Sequence, residues 1–527
     1  MATLKSSTSC ADYPSLFLTR QSTDYTAGRW LRNDNGERKA RHISFDFKAL
    51  VDKVVSCCEG ATSIQTWSKK EGNSCKAFVF CTDNGKQIVA KLPTPIAGPK
   101  SLVTNSEVAT IRYLQRNTSI PIPRVIDWND DPSNAVGCEY VIMEYAAGVP
   151  LSSVWQQLDV RKKMRCMESI VRHMAQLTKL DFNLYGSLYL SNFSMIDQSH
   201  KHGLDNDFCI SLHCGNRFWA CDTDKQRFTH LSRPDHGPWV DIHAYCNGLI
   251  DTALTRLPPP DRSHPNEKPY QGRVEEHVQL LSIARKILQI LARDPRINDN
   301  ASPTMMHPDL HLHNIFVDPE DATTITAFID WQGTSIEPAF EHADMVLDLE
   351  TTQLHSPGKR DSEGDSHLVL ERAYDALVKV YVPRLAAVRN IDDDLLRLFR
   401  YCHRTWVDGI TVLRDELINL STRWEAFGLP SPCPYTPPSG KALEDHKKDH
   451  QVFLQALELK ESLVEQLQTT KDGWIQSELW DETQENHTNA FMTLLEAISQ
   501  PDSDMTIQEL EAIWPFDKPT TTHKNQP

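Results

Sequence analysis

The sequence predicts an α+β chain of two lobes, a small N-terminal β-rich lobe and a large helical C-terminal lobe. Three observations carry that expectation. A β-prone run, Lys76-Ala-Phe-Val-Phe-Cys81, meets the turn triplet Asp83-Asn84-Gly85 and then a second run from Lys86 to Lys91; together they spell a hairpin. Beyond Gly148 apolar residues recur at three- and four-residue intervals. Val160, Met164, Met167, Val171, Met174 and Leu177 form one such stripe, and Val274, Val278, Leu281, Ala284, Leu288 and Leu291 another. Finally, 527 residues that are 40% hydrophobic and 24% charged have an ordinary globular composition and length for more than one unit.

Composition also excludes classes. No stretch approaches the ~18 uninterrupted apolar residues of a spanning helix, so no membrane span is expected. The count of 55 basic against 71 acidic residues, net −16, argues against nucleic acid as a partner, because phosphate backbones are held by dense Lys and Arg. The 13 cysteines are odd in number and contain no Cys-x-x-Cys pair, which fits free thiols in a reducing compartment. The first 20 residues hold seven Ser or Thr, a faint transit-peptide composition or a frayed polar end.

In chain order, residues 1–44 read as an N-terminal extension and 45–145 as the small lobe. After the hairpin, Pro93 and Pro99 break regular structure. A helix begins near Thr104 and Ser106 and runs through Glu107, Thr110, Ile111 and Leu114; Ile120-Pro-Ile-Pro marks its exit. A strand is expected from Cys138 to Glu144, stopping at Ala146-Ala147-Gly148. Residues 146–516 read as the large lobe. Within it 195–240 is polar and read as a long loop, Pro258-Pro-Pro260 as a linker, and 356–366 and Gly428–Gly440 as further loops. Helices are expected near 368–388, 393–425 and 444–469, and a disordered tail over 517–527.

The densest polar cluster is His307-Pro-Asp309-Leu-His311-Leu-His313-Asn314. A short apolar run, Ile315 to Val317, follows it; then a turn-prone Asp318 to Thr323, then Ile325 to Ile329, then Asp330-Trp331. A tight hairpin returns Asp330 to the neighbourhood of Asn314, with Asp309 close by. Two carboxylates and an amide gathered this way suit phosphoryl transfer. One carboxylate can orient and deprotonate an incoming hydroxyl, while the amide oxygen and the other carboxylate are hard ligands for Mg²⁺. Upstream, Lys91 closes a strand and Glu107 lies on the next helix; a Lys–Glu pair of this kind holds nucleotide phosphates in protein kinases. Glu144 and Tyr145 sit where a strand becomes a hinge between the lobes, where an adenine can bond to backbone.

His307-x-Asp309-x-x-x-x-Asn314 followed by Ile329-Asp330-Trp331 resembles the signature of the aminoglycoside phosphotransferase and choline kinase superfamily, whose members share a two-lobed protein-kinase-like fold. Tyr25-Thr-Ala-Gly28-Arg29-Trp30-Leu31, Val89-Ala-Lys91, Glu107 to Leu114, Met143-Glu144-Tyr145 and Tyr185-Gly-Ser-Leu188 are similar to its fungal branch named altered inheritance of mitochondria protein 9. The resemblance covers roughly 25–340. It implies ATP and Mg²⁺ as cofactors, Asp309 as catalytic base, Asn314 and Asp330 as metal ligands, Lys91 on the phosphates and Glu107 anchoring it. The branch name implies a mitochondrial location, with cytoplasmic the alternative. One departure stands out: the segment Glu71-Gly72-Asn73-Ser74-Cys75-Lys76, in place of a glycine-rich phosphate loop, has one glycine. Asn73 and Lys76 are expected to compensate as phosphate donors.

The expected activity is thus phosphoryl transfer from ATP to a hydroxyl of a small molecule; no segment singles out a protein partner. Two other readings stay open. One is a kinase-like pseudoenzyme that binds nucleotide or acts as a scaffold. The other is a metal-dependent hydrolase on His307, His311 and His313, whose spacings can hold zinc. The zinc reading leaves Asp309, Asn314 and Asp330 unexplained.

Overall fold

The computed structural model describes residues 22–219, 235–258, 268–343, 360–500 and 505–519, with 360–367 as backbone alone. The Ser/Thr-rich first 20 residues, part of the 195–240 and Pro258–Pro260 segments, and the end of the tail lie outside the described residues.

The small lobe is a five-stranded antiparallel sheet of β2 (Ile64–Glu71), β3 (Cys75–Thr82), β4 (Gln87–Pro93), β5 (Val125–Asn129) and β6 (Tyr140–Glu144), in the order β2-β3-β4-β6-β5. The Asp-Asn-Gly triplet forms the β3–β4 turn. Gly85 takes φ +80°, and the Thr82 amide donates to the Lys86 carbonyl at 2.9 Å. Alternation sorts the faces. Phe78, Phe80, Ala90 and Ile142 point to one side, where Leu50 and Val54 of helix α1 (Phe47–Cys57) pack on them. Lys91 pairs in register with Ala77 and Val141, so it lies on the opposite face. That face is covered by helix α2 (Leu102–Asn117), nearly every residue of which is buried from Val103 to Leu114.

Beyond the hinge, β7 (Val149–Pro150) pairs with β12 (Ile315–Val317), which pairs with β13 (Ile325–Phe328). Gly148 is needed here. It has φ +92°, and a Cβ would meet the Val317 carbonyl oxygen at 2.1 Å. The backbones of hinge and hairpin therefore touch directly. Helices α3 (Val160–Leu177), α4 (Ile242–Thr255) and α5 (Val274–Leu291) build the main core with α6 (Arg360–Tyr381) and α7 (Ile410–Thr422). The Met stripe of α3 is core from Met167 onward, with Met167, Val171, Met174 and Leu177 buried, whereas Val160 and Met164 in its first turns are exposed. Among the described residues no helix is long and apolar enough to cross a membrane.

Three expectations are corrected. The 195–240 segment is not loop throughout: β10 (Phe208–Ser211) pairs with β8 (Ser187–Leu190) and β9 (His202–Gly203), because Phe-Cys-Ile-Ser is an apolar run within polar surroundings. The 356–366 loop gives way to α6 at Arg360. The 393–425 helix is broken at Gly409, whose φ of +95° and close approach to Tyr270 exclude a side chain.

The residues before the sheet are built into the molecule. β1 (Gly28–Trp30) pairs antiparallel with β15 (Trp474–Gln476). Leu31 joins Leu463 of α8 (Lys441–Gln466), Ile475, Phe491 of α9 (Trp480–Ile498) and Trp514 in a separate apolar cluster. Strands β11 (Pro303–Met305) and β14 (Ile336–Pro338) pair across the base of the 307–330 hairpin.

Candidate active site

The loop after β11 is shaped by His307. Its Nδ1 accepts from the Asp309 amide at 3.1 Å and its Nε2 donates to the Ile329 carbonyl at 2.9 Å. That pairing requires the neutral ring, and burial holds its pKa below the ordinary imidazole value. The ring stands edge-on to Trp331, a buried side chain. His307 thus clamps both ends of the hairpin, and Trp331 is core.

Asn314 is buried, and its Nδ2 donates to both the Asp309 carbonyl at 2.9 Å and Asp309 Oδ2 at 3.0 Å. Its Oδ1 is left as the acceptor face. The Ile329 amide donates to the Asn314 carbonyl at 3.0 Å, so the next residue, Asp330, stands beside Asn314. Asp330 takes φ +67°, a sparsely populated conformation for a residue with a side chain and one often found at functional sites. Asp309 Oδ1 lies 2.8 Å from His311 Nε2. Burial pushes the Asp309 carboxyl up, but His311 and the neighbouring imidazoles outweigh it and hold the carboxyl below its usual range.

From the sheet, Lys91 Nζ reaches Glu107 Oε1 at 2.7 Å and Asp330 Oδ1 at 2.6 Å. The latter partner is 239 residues away in sequence. Burial alone lowers the lysine's pKa, yet Asp330 and Glu107 more than offset it, so the ammonium is retained. Burial raises the Glu107 carboxyl, opposed by Lys91. The structure therefore brings together Lys91, Glu107, Asp330, Asn314 and Asp309.

The remaining sequence-predicted residues are placed elsewhere. Lys76 is not available as a phosphate donor: it lies on the Phe78 face of β3, fully buried, and bonds the Thr23 carbonyl and Glu71. Burial pulls its pKa down to about 8. The physical reason is the pleat, which sets Lys76 on the opposite face from Lys91. Asn73 is anchored through its carbonyl and side-chain oxygens, both of which accept from Arg41. Glu144 turns outward to Arg124 at 3.0 Å. Its amide donates to the Arg124 carbonyl, which spends that backbone group inside the lobe. Tyr145 follows at the hinge, half-buried.

Sequence reasoning missed the tether on the β2–β3 loop. Glu71 Oε2 accepts from the Thr26 and Ala27 amides at 2.8 and 2.9 Å, and Arg41 holds the tip. The Lys69, Glu71 and Lys76 positions share one face by alternation, a signal that was present in the sequence. It also missed Cys75, half-buried near Lys91, whose thiol desolvation pushes up to about 12.

The donor set fits a magnesium nucleotide. Asn314 Oδ1 and the Asp330 carboxylate are hard oxygen donors side by side, and Lys91 is a retained ammonium within reach of the same carboxylate.

A profile described as APH, phosphotransferase enzyme family, matches residues 71–359, more than half of the chain. A subtelomeric hrmA-associated cluster protein of Aspergillus fumigatus is 30% identical over 301 residues, 52% of this chain and 58% of its own. The altered inheritance of mitochondria protein 9 of Yarrowia lipolytica is 28% identical over 347 residues, 60% of this chain and 58% of its own. The matched segment thus spans little more than half the length of these relatives. A solved ADP-bound aminoglycoside phosphotransferase aligns with 71% of this chain and 95% of its own at 12% identity and a TM-score of 0.37. With its match over 71–359, this chain belongs to the APH phosphotransferase enzyme family.

Proposed function

We propose that the protein transfers a phosphoryl group from ATP, with Mg²⁺, to a hydroxyl of a small molecule. The observation that carries this reading is Lys91, joined at once to Glu107 of α2 and to Asp330 at the end of the 307–330 hairpin. Burying Lys91 and Glu107 costs desolvation; a polyphosphate bound with Mg²⁺ gives the shared ammonium and the Asp330 carboxylate a use. In this reading Lys91 orients phosphates and Glu107 holds its position. Asn314 and Asp330 carry the metal, which when bound would offset phosphate charge. Asp309 accepts the hydroxyl proton; its carboxyl stays ionised at neutral pH, and Asn314 Nδ2 fixes its orientation. Adenine would meet the backbone near Tyr145.

A mitochondrial location is part of the proposal, from the names of the relatives. A second reading, nucleotide binding without turnover, is favoured by one observation: the Lys76 ammonium is spent on Thr23 and Glu71, which leaves the loop one donor fewer for phosphate.

The test is ATP consumption across a panel of hydroxyl-bearing metabolites, comparing wild type with Asp309→Asn. Acceptor-dependent turnover in wild type, lost in a variant that still binds ATP, supports the kinase. ATP binding without turnover for any acceptor moves the assignment to the second reading.

A further inference from the structure

We propose that Asp415, His446 and His450 form a zinc site that fastens α8 to α7, apart from the 307–330 hairpin. His446 and His450 are four residues apart on α8, so both rings project from one face of the helix. Asp415 comes from α7. The three donor atoms all lie within 4.8 Å of one another.

The spacing is that of ligands rather than of hydrogen-bonded partners. His446 Nε2 lies 3.4 Å and His450 Nδ1 lies 3.3 Å from the same oxygen, Asp415 Oδ1. Both exceed the ~2.7–3.2 Å of an N–H···O bond. They match the edge of a zinc tetrahedron, about 3.3–3.5 Å for metal–ligand bonds of roughly 2.0–2.2 Å.

The outer partners are also those of a ligand set. His446 Nδ1 faces the Thr411 hydroxyl at 3.3 Å, so Nε2 is the ring nitrogen turned to Asp415. Asp415 Oδ2 accepts from Asn419 Nδ2 at 2.9 Å, which orients Oδ1 toward the rings. Supports of this kind hold ligating imidazoles and carboxylates in place. Arg414, the cation next to Asp415, is paired with Glu276 at 3.3 Å. His446 is buried while His450 and Asp415 are partly open, so an ion has a route in and a coordination position left for solvent.

The test uses the full chain, purified without a histidine tag and stripped with a chelator. Zn²⁺ is titrated against a chromophoric competitor, and Co²⁺ serves as a spectroscopic probe. Wild type is expected to bind one Zn²⁺ per chain and to give intense tetrahedral Co²⁺ bands. His450→Ala and Asp415→Asn should each weaken Zn²⁺ at least tenfold and remove those bands. Asn419→Ala, which touches only the outer oxygen of Asp415, should weaken it about 10–100-fold. Asp330→Ala should leave zinc binding unchanged. His446 is not substituted because it is buried, and the metal-free variants are compared with wild type by circular dichroism to show that they fold. Absence of stoichiometric binding by wild type overturns the proposal. So does undiminished binding in folded His450→Ala, or loss of binding in a His311→Ala/His313→Ala variant, which would put the ion on the 307–330 hairpin.

Discussion

Replacing Lys91 with Met removes the cation that Glu107 and Asp330 share, and the two carboxylates answer differently. Glu107 is enclosed, its side chain 4% exposed, whereas Asp330 is 33% exposed and can be solvated. The cost therefore falls on Glu107. Stranding one member of a buried pair costs about 3–5 kcal/mol. Protonation sets a ceiling. A glutamate of ordinary pKa ~4.3 takes up a proton at pH 7 for about 3.7 kcal/mol, at 1.36 kcal/mol per unit. Lys91→Met should thus lose about 3–4 kcal/mol at pH 7. The sign of the pH dependence follows. Burial already raises the Glu107 carboxyl above its ordinary value, and without Lys91 it rises further, so the folded variant binds more protons and the penalty shrinks as pH falls. It should drop by about 1.4 kcal/mol between pH 7 and pH 6. Chemical denaturation at several pH values measures both quantities, and adding Glu107→Gln to Lys91→Met should restore most of the loss. A single variant within about 0.5 kcal/mol of wild type, or a penalty independent of pH, would refute a buried, shared ion pair at this position.

Asp309→Asn should retain nucleotide binding and overall stability while turnover falls about 10²–10⁴-fold, the usual worth of a positioned base; single-turnover kinetics on the identified acceptor would measure it. Gly148→Ala should destabilise the hinge by about 1–3 kcal/mol, since it forces a side chain into a positive-φ position against the Val317 carbonyl, and denaturation midpoints report it. Acid should weaken the fold through His277 and His487, whose pKa values burial lowers to about 4. Each is neutral when folded but protonates near 6.5 when unfolded, so its contribution is present above 6.5 and lost as pH falls toward 4. His487→Gln should flatten stability against pH in that window, because protonation breaks the bond His487 accepts from the Trp514 indole.

Local chemistry made much of this site legible. Asp83-Asn84-Gly85 can hardly do anything but turn, and it registers β3 on β4 so that Lys91 faces α2. The spacing from His307 to Asn314, then a short hairpin to Asp330, encodes its own closure, because the residues that close it are near in sequence. Lys76 shows where reading residue types in isolation falls short. Its charge invites a phosphate, yet the two-residue period that buries Phe78 and Phe80 buries Lys76 with them. Its partners arrive from Thr23 and Glu71, the first of them from the segment before the sheet. The β1–β15 pairing is further from reach still, because strands of three residues some 440 positions apart carry no mutual signal within either one. The Asp415, His446 and His450 cluster is similar: His-x-x-x-His is visible on α8, but its carboxylate is supplied by packing against another helix.

The central claim is that Lys91, Asn314 and Asp330 form a magnesium–nucleotide site. A thermal-shift titration with ATP, with and without Mg²⁺, on wild type and Asp330→Ala tests it most directly. A ligand that binds only the folded state stabilises by about 2.7 kcal/mol at a hundredfold excess over Kd. The account predicts a Mg²⁺-dependent upward shift in wild type that is absent in Asp330→Ala. No shift in wild type with ATP and Mg²⁺, or an equal shift in the variant, would contradict it.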